Sequence, residues 1–143
     1  MSCDFCNEQE FEGRTVFEDD LVRAFLTNTP IVPGHALVIP KRHAATIYDL
    51  TPAEREALMF TAHKVAEALV LAFGAHGFNY AWNEGKEAGQ SIPHLHMHIV
   101  PRTKNDAGIV GYEPRKFLYR PDSRAASSQE ELLQIAALIK KSL

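Results

Sequence analysis

From His94 to Val100 the chain reads His-Leu-His-Met-His-Ile-Val, with polar and apolar residues alternating at a period of two. A strand sends successive side chains to opposite faces, whereas a helix would scatter these imidazoles around its axis. The pattern therefore predicts a strand from His94 to Val100, ended by Pro101. At a rise of roughly 3.3 Å per residue, its three histidines would share one face about 6.6 Å apart. Leu95, Met97 and Ile99 would point the other way, into a core. A lone histidine would suggest a side chain that only hydrogen-bonds. Three at strict alternation, with large apolar residues between them, point to chemistry on a rigid element.

Aligned imidazoles suit two kinds of site. Alternating histidines on a strand can converge on a metal such as zinc. A neutral imidazole is also a nucleophile near neutral pH, and its neighbours can donate protons or stabilise charge in phosphoryl chemistry. The stretch before the row, Asn83 to Ser91, is polar and contains Gly85 and Gly89, so it reads as a loop whose backbone can approach a ligand closely. Gln90 and Ser91 offer uncharged hydrogen bonds suited to phosphate oxygens.

The remaining patterns describe an α+β chain. Thr15–Glu18 and Leu21–Leu26 flank Asp19-Asp20 as a hairpin. Ala36–Ile39 is a short apolar run before Pro40, a buried strand. Thr51, Pro52 and Glu54 form a capping-box start to a helix that ends at Gly74. Leu58, Ala62, Val65, Ala66, Leu69 and Phe73 make its apolar stripe. Phe78–Trp82 alternates as a strand. Ser128 and Glu131 open a final helix with Leu132, Ile135, Ala136 and Ile139 on its apolar face. Together these predict an antiparallel sheet of about five strands, with the Thr51 helix packed on one face and a C-terminal helix.

The 143 residues suit one domain, with a core over about 3–102 and a C-terminal extension over 103–143. The formal charge of −3 gives no reason to expect a nucleic acid or an anionic membrane as partner. The N-terminus lacks the basic and apolar runs of a signal peptide, and no run of about 18 apolar residues occurs, so a cytoplasmic protein is expected. Cys3 and Cys6 form a Cys-x-x-Cys that could be a redox pair, half a zinc site or chance. His63 on the long helix and His76 after Gly74 carry no functional assignment.

Gly89-Gln90-Ser91 followed by His94, His96 and His98 resembles the signature of the histidine triad (HIT) family. Pro33-Gly34-His35-Ala36-Leu37-Val38-Ile39-Pro40-Lys41-Arg42-His43 is similar to its other conserved block. The resemblance covers roughly residues 3–102 and implies a HIT-like fold. It also implies a nucleotide hydrolase or transferase acting at an α-phosphate, through a covalent nucleotidyl-histidine, on a nucleoside phosphoramidate or dinucleoside polyphosphate.

By the same resemblance, His96 is the nucleophile, His98 contacts the phosphate and assists the leaving group, and His94 and His35 orient the row and buffer its charge. Asn83, Gln90 and Ser91 fall at phosphate-contacting positions. No catalytic divalent metal is required. The family often places an Asp or Asn eight residues before the histidine of the Gly-His block, to hold the ribose. Here that position is Thr27, and Asn28 follows it. Leu26 and Leu37 are candidate walls for the base.

Some HIT branches pair a Cys-x-x-Cys with histidines that correspond to His43 and His94, which implies a structural zinc site of Cys3, Cys6, His43 and His94. The family's habit of pairing through its main helix and an adjacent strand implies a homodimer. A nucleotide-binding regulatory module with little turnover, or a nucleotidyltransferase, is the alternative. The intact His96 favours the hydrolase. Residues 101–127 carry six basic residues, Arg102, Lys104, Arg115, Lys116, Arg120 and Arg124, against three acidic ones. They read as a solvated surface, or as a segment that reaches the leaving group through Arg115 and Lys116.

Overall fold

A computed structural model describes residues 3–106 and 125–143. Five strands, β1 (Thr15–Glu18), β2 (Val22–Leu26), β3 (Ala36–Pro40), β4 (Gly77–Ala81) and β5 (Met97–Arg102), form one antiparallel sheet in the order β1-β2-β3-β5-β4. Two α-helices, α1 (Pro52–Phe73) and α2 (Gln129–Ser142), pack on one face. The α+β expectation holds element by element.

Local chemistry explains the boundaries. The Asp19 carboxylate accepts from the N–H groups of Leu21 and Val22 at 2.8 and 2.9 Å and closes the β1–β2 turn. Thr51 accepts from the Glu54 N–H at 3.1 Å, and Glu54 accepts from the Thr51 N–H at 2.7 Å, so two orphan donors at the start of α1 are satisfied reciprocally. Gly74 ends α1 in the left-handed conformation (φ 63°), which a glycine adopts without a Cβ penalty. Ser128 caps α2 by accepting from the Glu131 N–H at 3.2 Å.

The sheet is buried on both faces. Val22, Ala24, Leu26, Ala36, Val38, Met97 and Ile99 face the helices, where they meet Leu58, Ala62, Val65 and Leu69 of α1 and Ile135 and Ile139 of α2. Each large aliphatic side chain contributes roughly 1.5–3 kcal/mol by leaving water. The alternate residues Phe25, Leu37 and Ile39 form a second cluster with Phe5 and Phe11. The N-terminal segment covers that second face with two single-turn 3-10 pieces, Asp4–Cys6 and Glu8–Phe11. Arg23 anchors this cover. Its guanidinium bonds Glu8 at 2.6 Å and Glu18 at 2.8 Å and lies over the Phe11 ring.

Two boundaries differ from expectation. Strand β5 begins at Met97 instead of His94, and it runs through Pro101 to Arg102. Pro93 interrupts the approach, the His94 N–H turns back to the Ile92 carbonyl at 2.8 Å, and the Leu95 N–H leaves the ladder for the Ala44 carbonyl at 2.7 Å. Strand β3 pairs with β5 only over Met97 to Ile99, so Pro101 costs no bond on that side. The basic tail also differs in part. Arg102 is buried in an ion pair with Asp106 at 2.8 Å, so it is not a solvated surface charge. Arg115, Lys116, Arg120 and Arg124 lie outside the described residues.

The buried Glu54 carboxylate also accepts two bonds from Arg42, at 2.9 and 2.8 Å. Those bonds hold it at about 2, well below the ordinary 4.5. A carboxyl lowered on folding stabilises the native state above its unfolded value and loses that contribution as the pH falls through its folded one. Unfolding curves from pH 6 down to 2 should therefore show stability declining below about 4.5, and Glu54→Gln should flatten that limb.

Candidate active site and metal cluster

The site lies on the sheet face opposite the helices. Cross-strand pairing sets Phe25 against Leu37 and Leu37 against His98, so one row of side chains crosses β2, β3 and β5 on that face. A cavity opens above the row. Its lining includes His96, His98, Asn83, Ser91, Thr27 and Asn28, together with Phe5, Phe25, Leu37 and Ile92. It therefore has a histidine end, an uncharged polar loop and an aromatic-aliphatic wall.

The ring nitrogens are assigned by groups that have only one role. The Ile31 N–H donates to His35 Nδ1 at 3.1 Å, so His35 Nε2 carries the proton. His35 Nε2 lies 2.9 Å from His98 Nδ1, which must accept, and the His98 proton sits on Nε2. His96 Nδ1 lies 2.8 Å from the carbonyl of His94, which can only accept, so Nδ1 donates and Nε2 keeps its lone pair. Burial holds the His96 pKa below the usual histidine range, with the His94 carbonyl opposing that in part. The His96 and His98 rings are 5.3 Å apart, and together they present an unprotonated nitrogen and an N–H.

His94 is placed elsewhere. Its Nε2 donates to the Pro40 carbonyl at 2.7 Å, which turns the Nδ1 lone pair toward the cysteines. Nδ1 lies 3.5 Å from Cys3 Sγ and 3.6 Å from Cys6 Sγ, while His43 Nδ1 is 3.4 Å from Cys6 Sγ. The donor atoms of Cys3, Cys6, His43 and His94 all lie within 4.8 Å of one another, a cluster able to hold a metal ion. Two soft thiols and two imidazoles suit a tetrahedral transition metal. The predicted row of three is thus two pocket imidazoles and one that faces the cluster. The reason is the turn at Pro93, which removes His94 from the strand's alternation.

Other expectations divide in the same way. His35 is buried behind His98 and orients it without lining the cavity. Gln90 does not line the cavity either. Its amide donates to the Ala45 carbonyl and accepts from the Gly85 N–H, both at 2.8 Å, so it fastens the loop. Thr27 and Asn28 both reach the cavity, with the buried Thr27 hydroxyl accepting from the Thr29 N–H at 3.3 Å. Leu37 is a wall, but Leu26 is core on the helix side.

Sequence reasoning missed Phe5, Arg14 and Phe25 in the lining. Period-two alternation from Leu37 through its pairing could have found Phe25. Phe5 and Arg14 carry no local signal. Arg14 is buried, and its guanidinium donates to the carbonyls of Leu26 and Glu10. Burial lowers its pKa.

Residues 8–105 match the family model of the HIT domain. The chain belongs to the histidine triad family. The HIT protein of Bacillus subtilis is 34% identical over 99% of this chain and 94% of its own length. The asymmetrical bis(5'-nucleosyl)-tetraphosphatase of Schizosaccharomyces pombe is 41% identical over 66% of this chain, which spans about half (52%) of that protein. Among solved structures, a Zn-bound histidine triad family protein from Mycobacterium smegmatis superposes with a TM-score of 0.75 at 28% identity, covering 99% of this chain and 93% of that one. No helix among the described residues is long and apolar enough to cross a membrane.

The buried His35 relay gives a direct stability test. His35→Phe removes the partner that Ile31 and His98 have here, and such a loss costs about 1–3 kcal/mol. Urea unfolding should show a loss in that range.

Proposed function

We propose that this HIT protein is a nucleotide hydrolase that works through a covalent nucleotidyl-His96 intermediate. The observation that carries the reading is the complementary pair of ring nitrogens in one cavity, a lone pair on His96 Nε2 and a proton on His98 Nε2. His96 Nε2 forms a bond to the α-phosphorus while the bond from phosphorus to the leaving oxygen or nitrogen breaks. The departing atom leaves with the electron pair, accepting a hydrogen bond from the His98 Nε2–H, and takes a proton from solvent. Water then attacks phosphorus and releases a proton to solvent, and the P–N bond breaks with its electron pair returning to His96 Nε2. Two easier displacements replace one difficult one. The N–H of His98 and the side chains of Asn83 and Ser91, which line the cavity, would stabilise the phosphoryl oxygens. Phe5, Phe25, Leu37 and Ile92 would wall the base, and Thr27 and Asn28 would hold the ribose. The tetraphosphatase name of the fission yeast relative supports a dinucleoside polyphosphate as substrate, with a nucleoside phosphoramidate as the other candidate.

The test is turnover of nucleoside phosphoramidates and dinucleoside polyphosphates. His96→Ala should reduce turnover to background and abolish the covalent adduct seen by mass spectrometry after acid quench. His98→Ala should lower kcat roughly 10²–10³-fold, the usual contribution of a placed hydrogen-bond donor. Equal activity of His96→Ala and wild type would sink the mechanism.

The metal reading is zinc held by Cys3, Cys6, His43 and His94. Zinc–sulfur bonds of about 2.3 Å and zinc–nitrogen bonds of about 2.0–2.1 Å, at a tetrahedral angle, set sulfur and nitrogen about 3.5 Å apart. The three observed spacings are 3.4, 3.5 and 3.6 Å. The Pro40 carbonyl bonded to His94 is the outer partner that orients a metal-bound imidazole. Such an ion would cross-link the N-terminal turn to the segments before α1 and β5. About one zinc per chain is expected on elemental analysis, and less than half of that in Cys6→Ser.

The proposed assembly is a homodimer. Strand β4 is a sheet edge, and the outer face of α1 exposes Met59, Phe60, Val70 and Leu71. A sheet edge and an apolar helix face are each surfaces that can meet their own copy across a two-fold axis. Light scattering should give twice the chain mass, and Phe60→Glu should halve it.

A further inference from the structure

We propose that the metal cluster and the nucleotide pocket are energetically coupled, and that Phe5 is the positioning residue that couples them. A filled cluster raises the pocket's affinity for a nucleotide, and a bound nucleotide raises the cluster's affinity for metal by the same factor. The inference rests on the metal and nucleotide readings above.

Phe5 stands between the two thiol ligands in sequence. The turn that holds it, Asp4–Cys6, is closed by the Cys6 N–H donating to the Cys3 carbonyl at 2.9 Å. Its backbone cannot shift unless the cysteines shift with it. Its ring is only 9% exposed and forms part of the cavity wall. The ring centroid is 5.3 Å from the His96 ring, at 77° to it, 5.3 Å from Phe25 and 6.1 Å from His94. The aromatic ring that abuts the catalytic imidazole is therefore carried on the loop that supplies half of the cluster.

A second connection runs through His94. Its Nδ1 faces the thiols, its Nε2–H is fixed on Pro40, and its carbonyl accepts the Nδ1–H of His96. This route fixes the orientation of His96, while the Phe5 route fixes the wall that a nucleotide meets.

The coupling follows from what else holds the N-terminal turn. Cys6 is exposed, Cys3 is half-buried, and neither thiol is in a disulfide. Without an ion, the turn is held by the packing of Phe5 on Phe11 and Phe25, and its cysteines reach His43 and His94 only through thiol–imidazole contacts of 3.4–3.6 Å, which are weak bonds. Arg23 ties down Glu8 and Phe11, but both lie beyond Cys6. A nucleotide binding to the metal-free protein must order the turn as well as make its own contacts. With the cluster filled, that ordering is already complete, so the two ligands favour each other.

The test measures both affinities in both states, with neither readout depending on turnover. AMP and GMP are titrated calorimetrically into zinc-loaded and chelator-stripped protein. Zn²⁺ is titrated against a chromophoric chelator with and without saturating nucleotide. Both constants should shift by one common factor of about tenfold, within the usual range of couplings between sites. Phe5→Ala, with all four metal ligands intact, should still take up one zinc yet show a shift below twofold. Phe5→Leu should restore part of the coupling and serves if the alanine variant does not fold.

Wild-type protein that binds both ligands with no mutual effect overturns the coupling alone. Full coupling in Phe5→Ala overturns the assignment to Phe5. Failure of zinc or of both nucleotides to bind wild type overturns the underlying reading, and the coupling with it.

Discussion

The constraint on which this fold depends is a sheet buried on both faces. The central strands β2, β3 and β5 have buried side chains at every position but His98, so each face must be covered. Two helices cover one face with a conventional aliphatic core. The other face is covered by a short N-terminal segment with no long regular element, held by Phe5, Phe11 and the Arg23–Glu8 ion pair. The cavity lies against that cover, with Phe5 in its lining beside His96 and His98. A pocket at the edge of a core has low-dielectric walls and rigid strands beneath it, the conditions under which placed donors act strongly.

Within that pocket the backbone decides what each imidazole can do. A peptide N–H at Ile31 and a carbonyl at His94 have single, opposite roles, and through them the protons of His35, His98 and His96 are assigned. The same residue type thus yields an acceptor and a donor side by side. Desolvation lowers the His96 pKa and so favours its neutral form.

His94 gives the site its second character. One residue offers Nδ1 to the thiol cluster, Nε2–H to Pro40 and its carbonyl to His96. An N-terminal segment with so little regular structure is a natural place for a metal cross-link, since small local elements leave much conformational entropy to be offset. In the proposed reading, the ion that secures this cover also secures the pocket wall.

Much of this was legible in the residues themselves. Period-two alternation, the Thr51 capping box, the Asp19-Asp20 turn and the C-terminal Ser128 cap are local signals, and they specified the elements and the α+β class. The family blocks pointed to His96, His98, Asn83 and Ser91, all of which line the cavity. Tertiary structure decided what depends on distant chain segments. It took His94 out of the row, because Pro93 and the Ala44 carbonyl pull the chain off the ladder before Met97. It turned Gln90 to Ala45, moved His35 behind His98, sent Leu26 to the opposite core, and brought Phe5 against His96. A sequence states spacing along one strand or helix. Which side chain meets which across the sheet is settled only when the N-terminal cover, the loop and β5 are packed together.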